Sequence, residues 1–252
     1  MRAISALIAA PLTGVIAVVT LAAYLIPALT EVIRIDLADP QRIQWYQIFG
    51  CHLLHWSAEH LFWDLAMFCI LGGCCERWWP KQYYSAIGLS ALLIPLVVIL
   101  WQPEISSYRG LSGIDTALFS LMATRLGAES LRRSDWSQAV LFATLLASLA
   151  AKVAYEFMTG GLLFVSELNF VPLPVAHLVG GIVGAFTPLA GRRLRTCSEA
   201  CNNGSSVRTG KSIPWISDPR CEQVSTKLSG LGRHVAAGTA GAGKQRRRCG
   251  TG

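Results

Sequence analysis

Three long stretches of the sequence contain no Asp, Glu, Lys or Arg, and this feature restricts the possible folds more than any other. They cover residues 3–30, 82–103 and 168–191. About 20 apolar residues cross a bilayer as a helix, and each stretch is at least that long. In the whole chain of 252 residues only 15% are charged, whereas soluble domains have roughly 25%. The sequence therefore predicts an all-α polytopic membrane protein.

The net charge of +7 comes from the C-terminal part of the chain. Residues 1–191 hold 10 Lys and Arg against 12 Asp and Glu, a sum of −2, and residues 192–252 hold 12 against 3, a sum of +9. The second segment is rich in Gly, Ser, Arg and Cys and lacks apolar periodicity, so we expect a disordered basic tail. Such a tail can bind anionic lipid headgroups, and the charge distribution gives no indication of nucleic-acid binding. We therefore divide the chain into a membrane domain, 1–191, and a cytoplasmic tail, 192–252.

Hydropathy and helix-breaking residues predict six membrane-spanning helices. Their expected ranges are 4–28, 59–75, 83–101, 111–126, 137–158 and 173–190. The first could instead be a signal peptide, although its apolar run is long for one and no clear cleavage site follows it. Lys and Arg concentrate on one side of this arrangement, and the positive-inside rule places both termini in the cytoplasm.

Ionisable or strongly polar side chains inside a membrane span are costly, so each one is a candidate functional residue. They are His60, Asp64, Ser112, Asp115, Lys152, Glu156 and His177. With cytoplasmic termini, the second, fourth and sixth spans enter from the outer face, and His60, Ser112 and His177 each lie near the beginning of one of them. These three side chains are expected at a similar shallow depth. Lys152 and Glu156 are spaced i, i+4, and we interpret them as a structural ion pair.

Ser112 and His177 have the chemistry of a nucleophile and its base. A serine hydroxyl becomes nucleophilic when a neighbouring imidazole takes its proton. Ser112 lies in a Gly-Leu-Ser-Gly motif at 110–113, where the glycines allow a tight turn. The N-terminus of a helix also offers free N–H groups that can hold an oxyanion.

Small residues predict close packing of the two helices that carry this pair. Gly180 and Gly184 share one face of the sixth span, and Gly113 follows the serine on the fourth. Small residues at such spacing let membrane helices approach closely. We therefore expect His177 to reach Ser112 directly or through one water.

These motifs together resemble the rhomboid intramembrane serine proteases. They are Gly-Leu-Ser-Gly at 110–113, His-x-x-Gly-x-x-x-Gly at 177–184, and His-x4-His-x3-Asp at 55–64. Residues 108–115 are also similar to the rhombosortase branch, whose members process proteins with a C-terminal sorting segment. The resemblance spans about residues 45–190. It implies a six-helix bundle that cleaves transmembrane segments of membrane-anchored proteins with a Ser–His dyad and no third acidic residue. No cofactor and no metal are expected. We expect the protein in a bacterial inner membrane, with the active site towards the outer face.

The resemblance also implies roles for single residues. Ser112 matches the family's nucleophile, and His177 matches its general base. His60 matches a residue beside the oxyanion, and Gly110 matches the glycine before the nucleophile. Asp64 stands where many rhomboids have Asn, and an ionised carboxylate cannot donate a hydrogen bond to an oxyanion. Asp64 is therefore expected to be either protonated by burial or the charged partner of His60. Thr116 replaces a Tyr that often stacks on the catalytic histidine.

Other interpretations stay open. A rhomboid-like protein that binds transmembrane helices without cleaving them would fit the departures at Asp64 and Thr116. A transporter or channel typically has internal repeats and ion-binding groups at the midplane, and the sequence has neither. The eight cysteines lie in apolar segments or lack a useful metal spacing, so no zinc site is predicted. A P-loop-like stretch at 238–244 lacks the Ser or Thr and the flanking strand that a phosphate site requires.

Overall fold

A computed structural model describes residues 10–102, 105–160 and 173–190. Within these ranges the chain forms helices and no strand. The α-helices are α1 Pro11–Leu25, α2 Pro27–Ile33, α3 Trp45–Gly50, α4 Ala58–Trp78, α5 Pro80–Trp101, α6 Ser112–Arg132, α7 Trp136–Thr159 and α8 Pro174–Ala190. Two short 3-10 turns, Pro40–Arg42 and Cys51–Leu53, precede α4. The expected basic tail and its boundary at residue 191 lie outside the described residues.

Each of the six expected spans overlaps one of the longer helices, and four of these helices extend beyond the expected bounds. The all-helical membrane class is confirmed. By length and hydropathy, α4, α5 and α7 can each cross a membrane, and α1 together with α2 qualifies as a fourth, bent span. The apolar α8 has only 17 residues, and α6 carries more polar side chains than the three qualifying helices. The total of six spans therefore remains a prediction.

The first expected span, 4–28, extends too far at its C-terminal end. α1 ends at Leu25, and the chain turns by 110° into α2, which begins at Pro27. A proline disfavours helical backbone in the residue before it, and Ile26 is extended, with φ −116° and ψ 96°. Hydropathy does not register this break because both sides of it are apolar. Residues 4–9 of that span lie outside the described part of the chain.

A buried carboxylate attaches the beginning of α1 to the end of α4. Glu76 accepts hydrogen bonds from the backbone N–H of Leu12 at 3.0 Å, from that of Thr13 at 2.9 Å and from Thr13 Oγ1 at 2.8 Å. The first N–H groups of a helix have no partner within the helix, and negative charge there also interacts favourably with the helix dipole. Glu76 is only 4% exposed, so these bonds are largely shielded from water.

Glycines set the distance between α6 and α8. A Cβ atom on Gly180 would collide with the backbone carbonyl of Gly113, and one on Gly184 would collide with that of Ala117. A Cβ on Gly113 would lie 2.7 Å from Cδ1 of Ile94 on α5. Larger residues would force the helices apart, and Ser112 and His177 lie on the first turns of the two helices that meet here.

Candidate active site

Ser112 is the first residue of α6 and lies beside His177 in the first turn of α8. Its Oγ atom is 3.2 Å from Nε2 of His177, which is a hydrogen-bond distance. His177 is 8% exposed, so the imidazole is held by protein rather than by bulk water. The structure thus brings together a hydroxyl group and a nitrogen that can take its proton.

A carboxylate lies on the opposite edge of the same imidazole. Oε2 of Glu156, on α7, is 2.8 Å from Nδ1 of His177, and the Glu156 side chain is completely buried. Its second oxygen, Oε1, accepts a hydrogen bond from Nζ of Lys152 at 2.6 Å. An acid, an imidazole and a hydroxyl therefore form one chain of contacts, whereas the resemblance implied a dyad without a third acidic residue.

One assignment of protons satisfies these contacts. An ionised carboxylate only accepts, so Nδ1 of His177 donates to Glu156 and Nε2 is left to accept from the hydroxyl of Ser112. Nζ of Lys152 lies 3.4 Å from Nδ1, but an ammonium group only donates and cannot bond a nitrogen that is itself donating. The hydrogen bond of Lys152 is therefore with Glu156, and the basic nitrogen of the imidazole faces Ser112.

The turn before Ser112 has a backbone conformation that favours glycine. Gly110 has φ +123°, a region that L-residues with a side chain rarely adopt. A Cβ there would also lie 3.0 Å from Cε1 of His60 and 3.3 Å from Oδ2 of Asp64. Both the backbone angle and the lack of space therefore explain the glycine at this position, and they place the ring of His60 beside the nucleophile turn.

A buried tyrosine and histidine support the same turn from the other side. The hydroxyl of Tyr108 donates to the carbonyl of Gly110 at 3.2 Å and lies 3.4 Å from Nδ1 of His52. Nε2 of His52 is 3.1 Å from the carbonyl of Ala91 on α5, and a carbonyl only accepts, so Nε2 carries the proton. Burial lowers the pKa of His52 to about 4. The histidine is therefore neutral at pH 7 and connects the turn to α5.

Asp64 accepts hydrogen bonds at the back of the nucleophile turn. Its Oδ2 atom is 2.9 Å from the backbone nitrogen of Leu111, 3.1 Å from Nε2 of His55 and 3.3 Å from Nε2 of His60. Three nitrogens that converge on one oxygen favour an accepting carboxylate, the partner of His60, over a protonated acid. Asp64 thus joins α4 to the residue directly before Ser112.

These three side chains are also a possible metal-binding group. The ligand atoms of His55, His60 and Asp64 lie within 4.8 Å of one another, and all three residues are buried. Two imidazoles and a carboxylate are common ligands of transition metals. However, Oδ2 of Asp64, the oxygen that faces both imidazoles, already accepts from the backbone N–H of Leu111. Hydrogen bonding therefore explains the cluster without an ion.

The first turn of α6 supplies backbone donors next to Ser112. A helix leaves its first N–H groups without intrahelical partners. In α6 the first helical hydrogen bond runs from the N–H of Asp115 to the carbonyl of Leu111, at 2.9 Å. The amides of Ser112 and Gly113 precede that bond. Backbone N–H groups of this kind, adjacent to a serine, can stabilise an oxyanion.

A cavity of about 1080 Å³ adjoins both Ser112 and His177. Side chains from α4, α6, α7 and α8 line it, with Arg109 from the preceding turn. Polar members of the lining besides the catalytic candidates include His60, Asp64, Asp115 and Lys152. Pockets that enclose small molecules measure about 300–1,000 Å³, so this one has room for a segment of peptide next to the serine.

The apolar helices define an integral membrane protein, in which a serine and a histidine are in contact beside a cavity. The family model of the Rhomboid domain matches residues 42–193, which is more than half of the chain. The chain therefore belongs to the rhomboid family, whose members are in general intramembrane serine proteases. No curated protein sequence matches it significantly.

The sequence pattern did not indicate the contact between Glu156 and His177. The expected ion pair with Lys152 is present, and the contact of Glu156 with His177 is additional to it. Two ionisable residues within one expected span were the available signal, since such residues are rarely kept without a function.

Thr116, in place of the stacking Tyr, donates its hydroxyl to the Ser112 carbonyl at 2.8 Å.

Proposed function

We propose that this rhomboid is an intramembrane serine endopeptidase in which Ser112 is the nucleophile and His177 is the general base. The observation that carries the proposal is the 3.2 Å distance between Ser112 Oγ and His177 Nε2 beside the cavity. The first-turn N–H groups of α6, which have no partner within the helix, and the ring of His60 beside Gly110 support an oxyanion site next to the serine.

The reaction has two halves. Nε2 of His177 takes the hydroxyl proton while Oγ of Ser112 attacks the carbonyl carbon of the scissile peptide bond, and backbone N–H groups bind the oxyanion that forms. The C–N bond then breaks, and the imidazolium gives its proton to the leaving amine. An acyl ester remains on Ser112. Water, deprotonated by His177, hydrolyses this ester and restores the serine.

The proposed substrates are membrane-anchored proteins, cut in a transmembrane segment or in a C-terminal sorting segment. A cavity lined by membrane helices supports a substrate that itself lies in the bilayer. The similarity of residues 108–115 to the rhombosortases supports sorting segments in particular. No nucleic acid, cofactor or metal is required by this chemistry.

We place the protein in the inner membrane of a bacterium, with both termini cytoplasmic and Ser112 near the outer face. The distribution of Lys and Arg supports this orientation. A reporter fused after Ala190 is expected in the cytoplasm, and one inserted at 34–39 is expected outside. The opposite pattern of the two reporters would contradict the outer-face position of the site.

The proposal is tested with purified protein in lipid vesicles and a reporter that carries a transmembrane segment. Ser112→Ala and His177→Ala are each expected to abolish cleavage, because residues that act as one unit lose nearly the full effect when either is removed. Ser85→Ala is the matched control, since Ser85 is an exposed helical serine whose hydroxyl donates to the Lys81 carbonyl of its own helix.

Thermal unfolding of each variant establishes that it is folded. Substantial cleavage by Ser112→Ala would refute the proposal. Capture of the reporter without cleavage by the parent protein would instead favour a rhomboid that binds transmembrane helices but does not cut them.

A further inference from the structure

We propose that Glu156 is a positioning residue that fixes the orientation and tautomer of His177, and that Lys152 holds Glu156 in place. This inference rests on the proposed function, because it concerns the base of that reaction. It replaces the expected Ser–His dyad with a Ser–His–Glu group whose acid comes from a third helix, α7.

The burial of Glu156 is the first argument for this role. In the described part of α7 the buried residues are Ala139, Val153 and Glu156, and the carboxylate is the only polar one of the three. A buried carboxylate is costly unless both of its oxygens are bonded. Oε2 bonds His177 and Oε1 bonds Lys152. The acid is thus directed into the bundle and fully partnered there.

The second argument concerns the proton on the imidazole. If Nε2 carried the proton, His177 could not accept the hydroxyl proton of Ser112. A carboxylate 2.8 Å from Nδ1 keeps the proton on Nδ1 instead. When Nε2 takes the serine proton, the ring becomes positively charged, and the adjacent carboxylate stabilises that charge. Acids with this role act on a histidine in other serine hydrolases.

Lys152 has a supporting role in the same group. It lies one helical turn before Glu156, so the two side chains share a face of α7. Its side chain is 26% exposed, whereas that of Glu156 is fully buried. By bonding Oε1 it leaves Oε2 directed at the imidazole. Its loss is expected to matter less than the loss of the acid, because the bond between Glu156 and His177 remains.

The test measures kcat and KM of Glu156→Gln, Glu156→Asp and Lys152→Met with the transmembrane reporter in vesicles. Glu156→Gln keeps the shape and removes the charge, and we expect kcat to fall about a hundredfold or more with KM within about twofold. Glu156→Asp keeps the charge but withdraws the carboxylate, and we expect a loss of about three- to tenfold. Lys152→Met is expected to lose less than Glu156→Gln. Glu129→Gln, which removes an acid that pairs with arginines near the far end of α6, is the matched control.

The outcomes separate this inference from the proposed function. Folded Glu156→Gln that cleaves within about threefold of the parent, while Ser112→Ala is inactive, would overturn the role of Glu156 and leave the serine protease intact. Cleavage by Ser112→Ala would remove the proposed function itself. If Glu156→Gln fails to fold, Glu156→Asp decides, since a kcat equal to that of the parent would overturn the inference and a selective fall in kcat would support it.

Discussion

Replacing Asp64 tests how α4 supports the turn before the nucleophile, and Asp64→Leu is expected to lower both stability and cleavage. The Oδ2 atom of Asp64 bonds the backbone N–H of Leu111 and two imidazoles. A leucine side chain offers no acceptor to these donors, and the N–H of Leu111 has no other proton position. A buried donor left without an acceptor costs about 1–3 kcal/mol, and we expect at least this loss in the free energy of unfolding.

The effect on cleavage follows from the position of Leu111 next to Ser112. Without the bond to Asp64 the turn loses its attachment to α4, and His60 loses a polar partner at its Nε2 atom. We expect Asp64→Leu to lose about a hundredfold or more in cleavage rate. Asp64→Asn keeps an acceptor oxygen for the Leu111 N–H, so it is expected to stay within about tenfold of the parent, or about 1.4 kcal/mol of barrier.

The assay compares cleavage of the transmembrane reporter at equal levels of inserted enzyme, together with thermal unfolding. Asp36→Leu is the matched control, because Asp36 also accepts a backbone N–H, that of Ala38 at 3.0 Å, but on an exposed loop. If Asp64→Leu cleaves as fast as the parent, the bond from Asp64 to Leu111 does not contribute to catalysis and the role given to Asp64 is wrong.

Three further predictions concern stability and packing. Gly184→Ala puts a methyl group against the α6 backbone, so it should lower the free energy of unfolding by about 1–3 kcal/mol and reduce kcat. Gly73→Ala is the control, because a Cβ there meets open space, and it should be neutral or slightly stabilising in thermal unfolding. Glu76→Ala leaves the first turn of α1 without its acceptor and should lower the free energy of unfolding by about 1–3 kcal/mol; an unchanged unfolding temperature would contradict this. Asp115→Leu removes a buried carboxyl whose Oδ1 has no hydrogen-bond partner among the described residues, so the variant should unfold at the same or a higher temperature, and a clear loss would show that the carboxyl is bonded in the folded protein.

The sequence was sufficient for features that depend on short stretches of chain. Apolar runs about 20 residues long predict helices, because a backbone in lipid must satisfy its own hydrogen bonds. Gly110, with its positive φ, and Gly180, with no space for a side chain, occupy positions that the spacing of the motif already marked. The same spacing selected Ser112 and His177, which the fold brings to 3.2 Å from each other.

Only the tertiary structure decided which faces of the helices meet. The i, i+4 spacing of Lys152 and Glu156 predicts their ion pair, but it carries no information on the rotation of α7 about its axis, and that rotation directs Glu156 at His177. In the same way, the distance from Asp64 to the N–H of Leu111 depends on how α4 packs against the turn before α6. Such rotations and distances result from the packing of side chains from distant parts of the chain, so no local pattern in the sequence specifies them.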